Sequence, residues 1–198
     1  MSSITTTTIS LLEGLRDLRD DLHWTEFCHR YLPPLTIFIR RMGLRPQDAE
    51  EVAQETLVAF ADGYRQGRYD PAKGRLRTYL LGVAKNKIGD VNRRRRKEAV
   101  VSGGTAAMER LQEVPDERNA EEVWEEEWRA ALLRACLEEV RKEVEPKTMR
   151  IFELYALEGR KPAEITEQLG ISRDLVYQVK ARVIHRMSEL RKTLDDCW

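Results

Sequence analysis

Tyr69-Asp-Pro-Ala-Lys-Gly-Arg-Leu-Arg-Thr-Tyr79-Leu-Leu-Gly-Val-Ala-Lys-Asn86-Lys-Ile-Gly-Asp-Val-Asn-Arg93-Arg-Arg-Arg-Lys97 reads as a turn, an amphipathic helix and a block of five cations. Leu76, Leu80, Val83, Ala84, Ile88 and Val91 recur at helical spacing and predict one apolar stripe. Tyr79, Asn86 and Arg93 stand seven residues apart and so share a different face, with Gly82 and Gly89 beside them. That face combines an aromatic ring that can stack on a base, an amide that can read a base edge and a cation for phosphate. Glycines there would let a backbone approach closely. Lys87 falls inside the apolar stripe, where it must snorkel or mark the edge of the helix. The plainer reading of the same residues is a core helix with a solvated basic end.

Working outward, charge is strongly segregated. The 198 residues carry no formal net charge. Yet residues 10–63 sum to −4, 64–97 to +10, 98–145 to −8 and 146–198 to +2. Such blocks suit a chain that offers different surfaces to different partners, and not one evenly sticky cation. Cys28, Cys136 and Cys197 are far apart and odd in number, which argues against a disulfide framework or a zinc site. No nucleophile triad, metal cluster or phosphate-cradling glycine loop is present, so the chain reads as a non-enzyme without a cofactor. The start lacks the cations of a secretory signal and no apolar run is long enough to span a bilayer, which predicts a cytoplasmic protein without membrane insertion.

The rest of the chain is helical in pattern, with no convincing alternating strand. Residues 1–9 read as a disordered tail. Ser10 caps an expected helix to about Asp21, with Leu11, Leu12, Leu15, Leu18 and Leu22 on one side. Trp24, Phe27 and Tyr31 follow as core aromatics before Pro33-Pro34, which should break or kink the chain. Pro46 opens another helix, whose buried stripe is Ala49, Ala53, Leu57, Phe60 and Tyr64. Its opposite face carries Asp48, Glu51, Glu55, Val58 and Asp62. Ser102-Gly-Gly-Thr105, Pro115 and many acids mark residues 98–122 as a flexible acidic linker. The expected fold is therefore all-α. It has two small helical domains, residues 10–97 and 123–198, joined by that linker.

The last domain contains a helix-turn-helix pattern: Thr166, Gly170 four residues later and Val176 six after that. Gly170 would supply the positive φ of the turn and Ser172 would cap the second helix. Ile165, Leu169, Ile171, Val176 and Val179 would form the small core. Arg173, Asp174, Tyr177, Gln178, Ala181 and Arg182 would then face a major groove.

Taken in order from about Leu22 to Leu194, these blocks resemble the extracytoplasmic-function sigma factors, the small members of the sigma-70 superfamily of bacterial transcription initiation factors. Asp48-Ala-Glu-Glu-Val-Ala-Gln-Glu55 is similar to the family's region 2.2, the Tyr69–Lys97 stretch to regions 2.3 and 2.4, and the helix-turn-helix to region 4.2. The resemblance implies a sigma factor that binds core RNA polymerase and directs it to promoter DNA. Asp48, Glu51, Gln54 and Glu55 would contact the coiled coil of the β′ subunit. The β flap and an anti-sigma factor are further implied partners. The turn holding Tyr69, Lys73 and Arg75, with Tyr79 and Asn86, would capture an extruded base of the −10 element, while Arg93 and Arg94 track its backbone. Ser172, Arg173, Asp174, Tyr177, Gln178, Lys180, Arg182 and Arg186 would read the −35 element as duplex. The chain departs from the family in having Leu76 where Phe is common, Tyr79 where Trp is common, and about three more residues between Ser172 and Lys180-Ala181-Arg182. The rival reading is a stand-alone helix-turn-helix regulator that binds duplex DNA without polymerase. The acidic face at Asp48–Glu55 and the turn at Tyr69 speak against it.

Overall fold

The computed structural model describes residues 8–16, 21–70, 72–102 and 119–195. Those residues are helical and contain no strand, as the sequence pattern predicts. In chain order the elements are α1 (Thr8–Gly14), α2 (Asp21–Arg41), α3 (Pro46–Arg65), α4 (Leu76–Ser102), α5 (Ala120–Glu143), α6 (Pro146–Phe152) running into a π turn (Glu153–Leu157), α7 (Pro162–Leu169) and α8 (Arg173–Asp195). The chain divides into two compact units, chiefly Thr6–Ala131 and Leu132–Cys197. The expected linker 98–122 is entered by helix from both sides, through Ser102 and from Ala120. Residues 103–118 lie outside the described residues.

In the first unit α2, α3 and α4 pack around aromatic side chains. Phe27, Tyr31, Leu35, Phe38 and Ile39 from α2 meet Ala53, Leu57 and Phe60 from α3 and Leu80 and Ala84 from α4, all essentially buried. Pro33 and Pro34 do not end α2, which runs through both. Each proline removes a backbone donor, and the buried residues flanking them on the inner face hold the helix together across that loss. The first helix also departs from expectation. It stops at Gly14, and the next begins afresh at Asp21. Leu11, Leu12 and Leu15 are buried, but Leu22 is 84% exposed because it belongs to a new helix with its own register. Leu18 lies outside the described residues. Gly14 is required where it stands: a Cβ there would come 2.2 Å from the His23 ring.

Sequence reading placed residues 123–131 at the head of the second domain, but they pack with the first unit. Trp124 and Trp128, one helical turn apart, are each 1% exposed. The Trp124 ring meets Phe38 edge-on at 5.4 Å, and Trp128 stacks on Tyr31 at 5.6 Å. The Trp124 indole N–H donates to the Arg77 carbonyl at 3.0 Å. Arg41 bonds Glu126 and Glu127 at 2.9 and 2.8 Å, and Arg77 lies 3.3 Å from Glu125.

The second unit is built on Val140, Met149, Ile151, Phe152, Leu154, Ile165, Val176, Val179 and Val183. Leu169 and Ile171 pack against its edge. Gly170 takes a left-handed φ of 64°, and its N–H closes on the Thr166 carbonyl at 2.9 Å. Ser172 Oγ accepts the Leu175 N–H at 3.2 Å, capping α8 as its spacing predicts.

Candidate nucleic-acid interface

Helix α4 has the two faces that its sequence predicts. Leu76, Leu80, Ala84 and Ile88 are buried. Gly82, Asn86, Asp90, Arg93 and Lys97 lie exposed along the other side, and Arg94 is exposed on its flank. Asp90 pairs with Arg93, one turn apart and both open to water. The inward-lying cations are a different matter. Arg95 stands half a helical circle from Asn86 and pairs with Asp48 of α3. Lys87, the residue that interrupted the apolar stripe, reaches Glu55 of α3 at 2.9 Å. Its stem covers apolar surface while its ammonium group finds a carboxylate at the rim. The five-cation block is therefore not uniform: Arg93, Arg94, Arg96 and Lys97 are exposed, and Arg95 serves the α3–α4 contact.

The turn before α4 is held by its own residues. Asp70 accepts the Ala72 N–H at 2.9 Å, and Lys73 lies 3.6 Å from Asp70. Lys73 and Arg75 are exposed. Tyr69, expected to help seat a base, is buried, and its hydroxyl donates to the Gly74 carbonyl at 3.1 Å. Its ring packs against Phe60 at 5.5 Å, Tyr64 at 6.2 Å and Tyr79 at 5.1 Å. Tyr79 is half-buried, and the ring that could meet a base leans on this cluster. An added Cβ at Gly63 would lie 3.0 Å from the Tyr79 hydroxyl, whereas one at Gly82 would meet nothing within 4 Å. Nothing in the α4 sequence points to Gly63, because the contact joins two helices.

Burial pushes the Tyr69 phenol up from its ordinary value of 10 to about 12, with Tyr31, Tyr64 and Asp70 adding to the shift. The unfolded chain therefore sheds this proton first as pH rises. Between pH 10 and about 12 the folded state keeps a proton that the unfolded state has lost, so stability falls with rising pH across that window. Tyr69→Phe should remove this part of the alkaline decline, at a cost of about 1 kcal/mol at neutral pH for the lost hydrogen bond. Denaturant unfolding of both proteins at about pH 8 and about pH 11 checks it. Equal declines in the two would place the alkaline loss at another group.

On α3, Glu51, Gln54 and Glu55 are exposed and Asp48 is half-buried, with Val58 half exposed among them. This face stays clear of the apolar stripe of Ala49, Val52, Ala53, Leu57 and Phe60. Two of its acids answer the α4 cations, as above. Residues 27–98 match the sigma-70 region 2 family. That match lies within the first unit and covers less than half of the chain. The chain is also 24% identical over 79 residues to the ECF RNA polymerase sigma factor RpoE of Cereibacter sphaeroides, across 40% of this chain and 42% of that protein. It thus spans less than half the length of the curated relative it matches. No solved structure matches the chain. The region 2 match covers α3 and most of α4, as far as Glu98, and it ends before α5, whose first half completes the same unit.

The residues expected to read duplex DNA lie outside the region 2 match, on α8 and at its cap Ser172. Ser172, Arg173, Asp174, Tyr177, Gln178 and Arg182 are exposed, and Lys180 is half-buried. Arg186 is engaged within its own unit. Its guanidinium donates to both Glu143 oxygens at 2.6 and 2.8 Å and to Glu189 at 3.2 Å. This fork holds the Glu143 carboxyl below its ordinary range and Arg186 well above its own. Among the described residues no group of three His, Cys, Asp or Glu gathers as a metal site, and no helix is long and apolar enough to cross a membrane.

Proposed function

We propose that this chain is a bacterial RNA polymerase sigma factor, which binds core polymerase and directs promoter recognition and transcription initiation in the cytoplasm. The region 2 match carries the proposal, because it takes in α3 and α4 as far as Glu98. On this reading the α3 face of Asp48, Glu51, Gln54 and Glu55 meets the β′ coiled coil. The exposed α4 stripe receives the non-template strand of the −10 element, with Asn86 reading a base edge, Tyr79 offering its open side for stacking and Arg93 and Arg94 holding phosphates. Lys73 and Arg75 add positive charge at the entrance, and Tyr69 shapes the turn from beneath. The exposed start of α8 reads the −35 duplex. The β flap and an anti-sigma factor are the remaining proposed partners.

Run-off transcription with core polymerase on genomic DNA tests the reading. Defined start sites that require this chain are expected; protection of promoter sites at nanomolar protein without polymerase would instead favour a stand-alone regulator. The α3 face allows a sharper test. Glu51 is exposed, and reversing it should change stability by no more than about 0.5 kcal/mol. Glu51→Lys should nonetheless lower affinity for core polymerase about tenfold or more, since a like charge is brought against a complementary surface. Competition against the wild-type chain for core enzyme measures this, and undiminished competition would refute the α3 assignment.

A further inference from the structure

The helix before the helix-turn-helix does not end as an ordinary α-helix. Over Glu153–Leu157 it widens into a π turn, closed by the Glu158 N–H on the Glu153 carbonyl at 2.8 Å. A wide turn of this kind shifts the register of the side chains it carries, and such turns gather at functional positions. Tyr155 lies within this turn. Its ring meets Tyr177 of α8 edge-on at 5.7 Å, at an interplanar angle of 83°. On the same ring sits the Lys180 ammonium group, 5.1 Å from the centroid. Tyr177 is 50% exposed, so it is braced on one side and open on the other.

We propose that Tyr155 is a positioning residue for the recognition helix: its ring seats Tyr177 and Lys180 in the orientation in which they meet the −35 duplex. The inference rests on the reading of α8 as the −35 reader. Lys has a long side chain with several rotamers, and a ring beneath its ammonium group restricts where that charge is presented. An edge-to-face contact does the same for the Tyr177 ring. Both side chains thus come to DNA partly pre-ordered, and less freedom is lost on binding.

The test uses holoenzyme assembled with the full chain, on a promoter mapped by run-off transcription and on the same promoter with its −35 element scrambled. Tyr155→Leu should lower transcription from the native promoter about tenfold. On the scrambled promoter it should change little. Tyr155→Phe keeps the ring and should remain within about twofold of wild type on both. In a chain already carrying Tyr177→Ala and Lys180→Ala, Tyr155→Leu should have no further effect, because its partners are gone. If Tyr155→Leu melts early, Tyr155→Met, which fills similar volume without a ring, takes its place. Equal losses on both promoters, full activity without the ring, or an undiminished effect in the doubly substituted chain would each overturn the proposal. If the Tyr177→Ala, Lys180→Ala chain itself transcribes both promoters as wild type does, the −35 reading of α8 falls, and this inference falls with it.

Discussion

Trp124→Ala should destabilise the first unit by about 3–5 kcal/mol, the usual cost of removing a buried aromatic side chain. The residue is 1% exposed, touches Phe38 and Trp128, and donates its indole N–H to the Arg77 carbonyl. A loss of that size is a large fraction of the stability of an ordinary domain. It should appear in chemical denaturation as an early transition of the unit that contains the region 2 match, although Trp124 lies well beyond that match at residues 27–98. Leu133→Ala, at a half-exposed position on the same helix, is the control and should cost far less. A loss below about 1 kcal/mol for Trp124→Ala would mean that α5 does not pack on the unit in solution.

The second large effect concerns base reading. Asn86 is exposed at the centre of the α4 stripe, between Gly82, Asp90 and Arg93. Its amide can donate to and accept from one base edge, which a phosphate-binding cation cannot do. Asn86→Ala should therefore weaken holoenzyme binding to single-stranded −10 non-template DNA by about tenfold to a hundredfold for the preferred base, and much less for the others. Arg94→Ala should weaken binding to every sequence alike and reduce the dependence on salt by about one phosphate contact. Arg95→Ala offers a contrast. Because Arg95 pairs with Asp48 and lies half a helical circle from Asn86, its removal should leave base preference unchanged. Equal losses at all bases for Asn86→Ala would count against base reading at this position.

Much of this was legible along the chain. The 3.6-residue period separated the buried Leu76, Leu80, Ala84 and Ile88 from the exposed Asn86 and Arg93, because a helix sorts its own side chains by spacing alone. The Gly170 turn and the Ser172 cap were equally readable, since each depends on a few neighbouring residues. Other readings failed where a distant partner intervened. Tyr69 sits in a turn rich in polar residues and looks exposed there, yet Phe60, Tyr64 and Tyr79 bury it. Pro33 and Pro34 carry a local penalty that would end many helices, and the packing of Tyr31, Leu35 and Phe38 outweighs it. Trp124 and Trp128 stand among glutamates at the start of what the sequence reads as the second domain, yet they pack with the first unit. The one local sign of their burial was two large aromatics spaced a single turn apart.

From residue order alone come the helical fold, the amphipathic faces of α3 and α4, and the resemblance to a sigma factor. All of these rest on short-range periodicity and motif spacing. Tertiary structure decided the rest: that the first half of α5 completes the first unit, that Arg95 and Lys87 are committed to Asp48 and Glu55, and that Tyr155 lies beneath Tyr177 and Lys180. The physical reason is the range of the forces involved. A helix and its caps are set by bonds to residues a turn away, whereas burial and ion pairing depend on which surface happens to lie opposite.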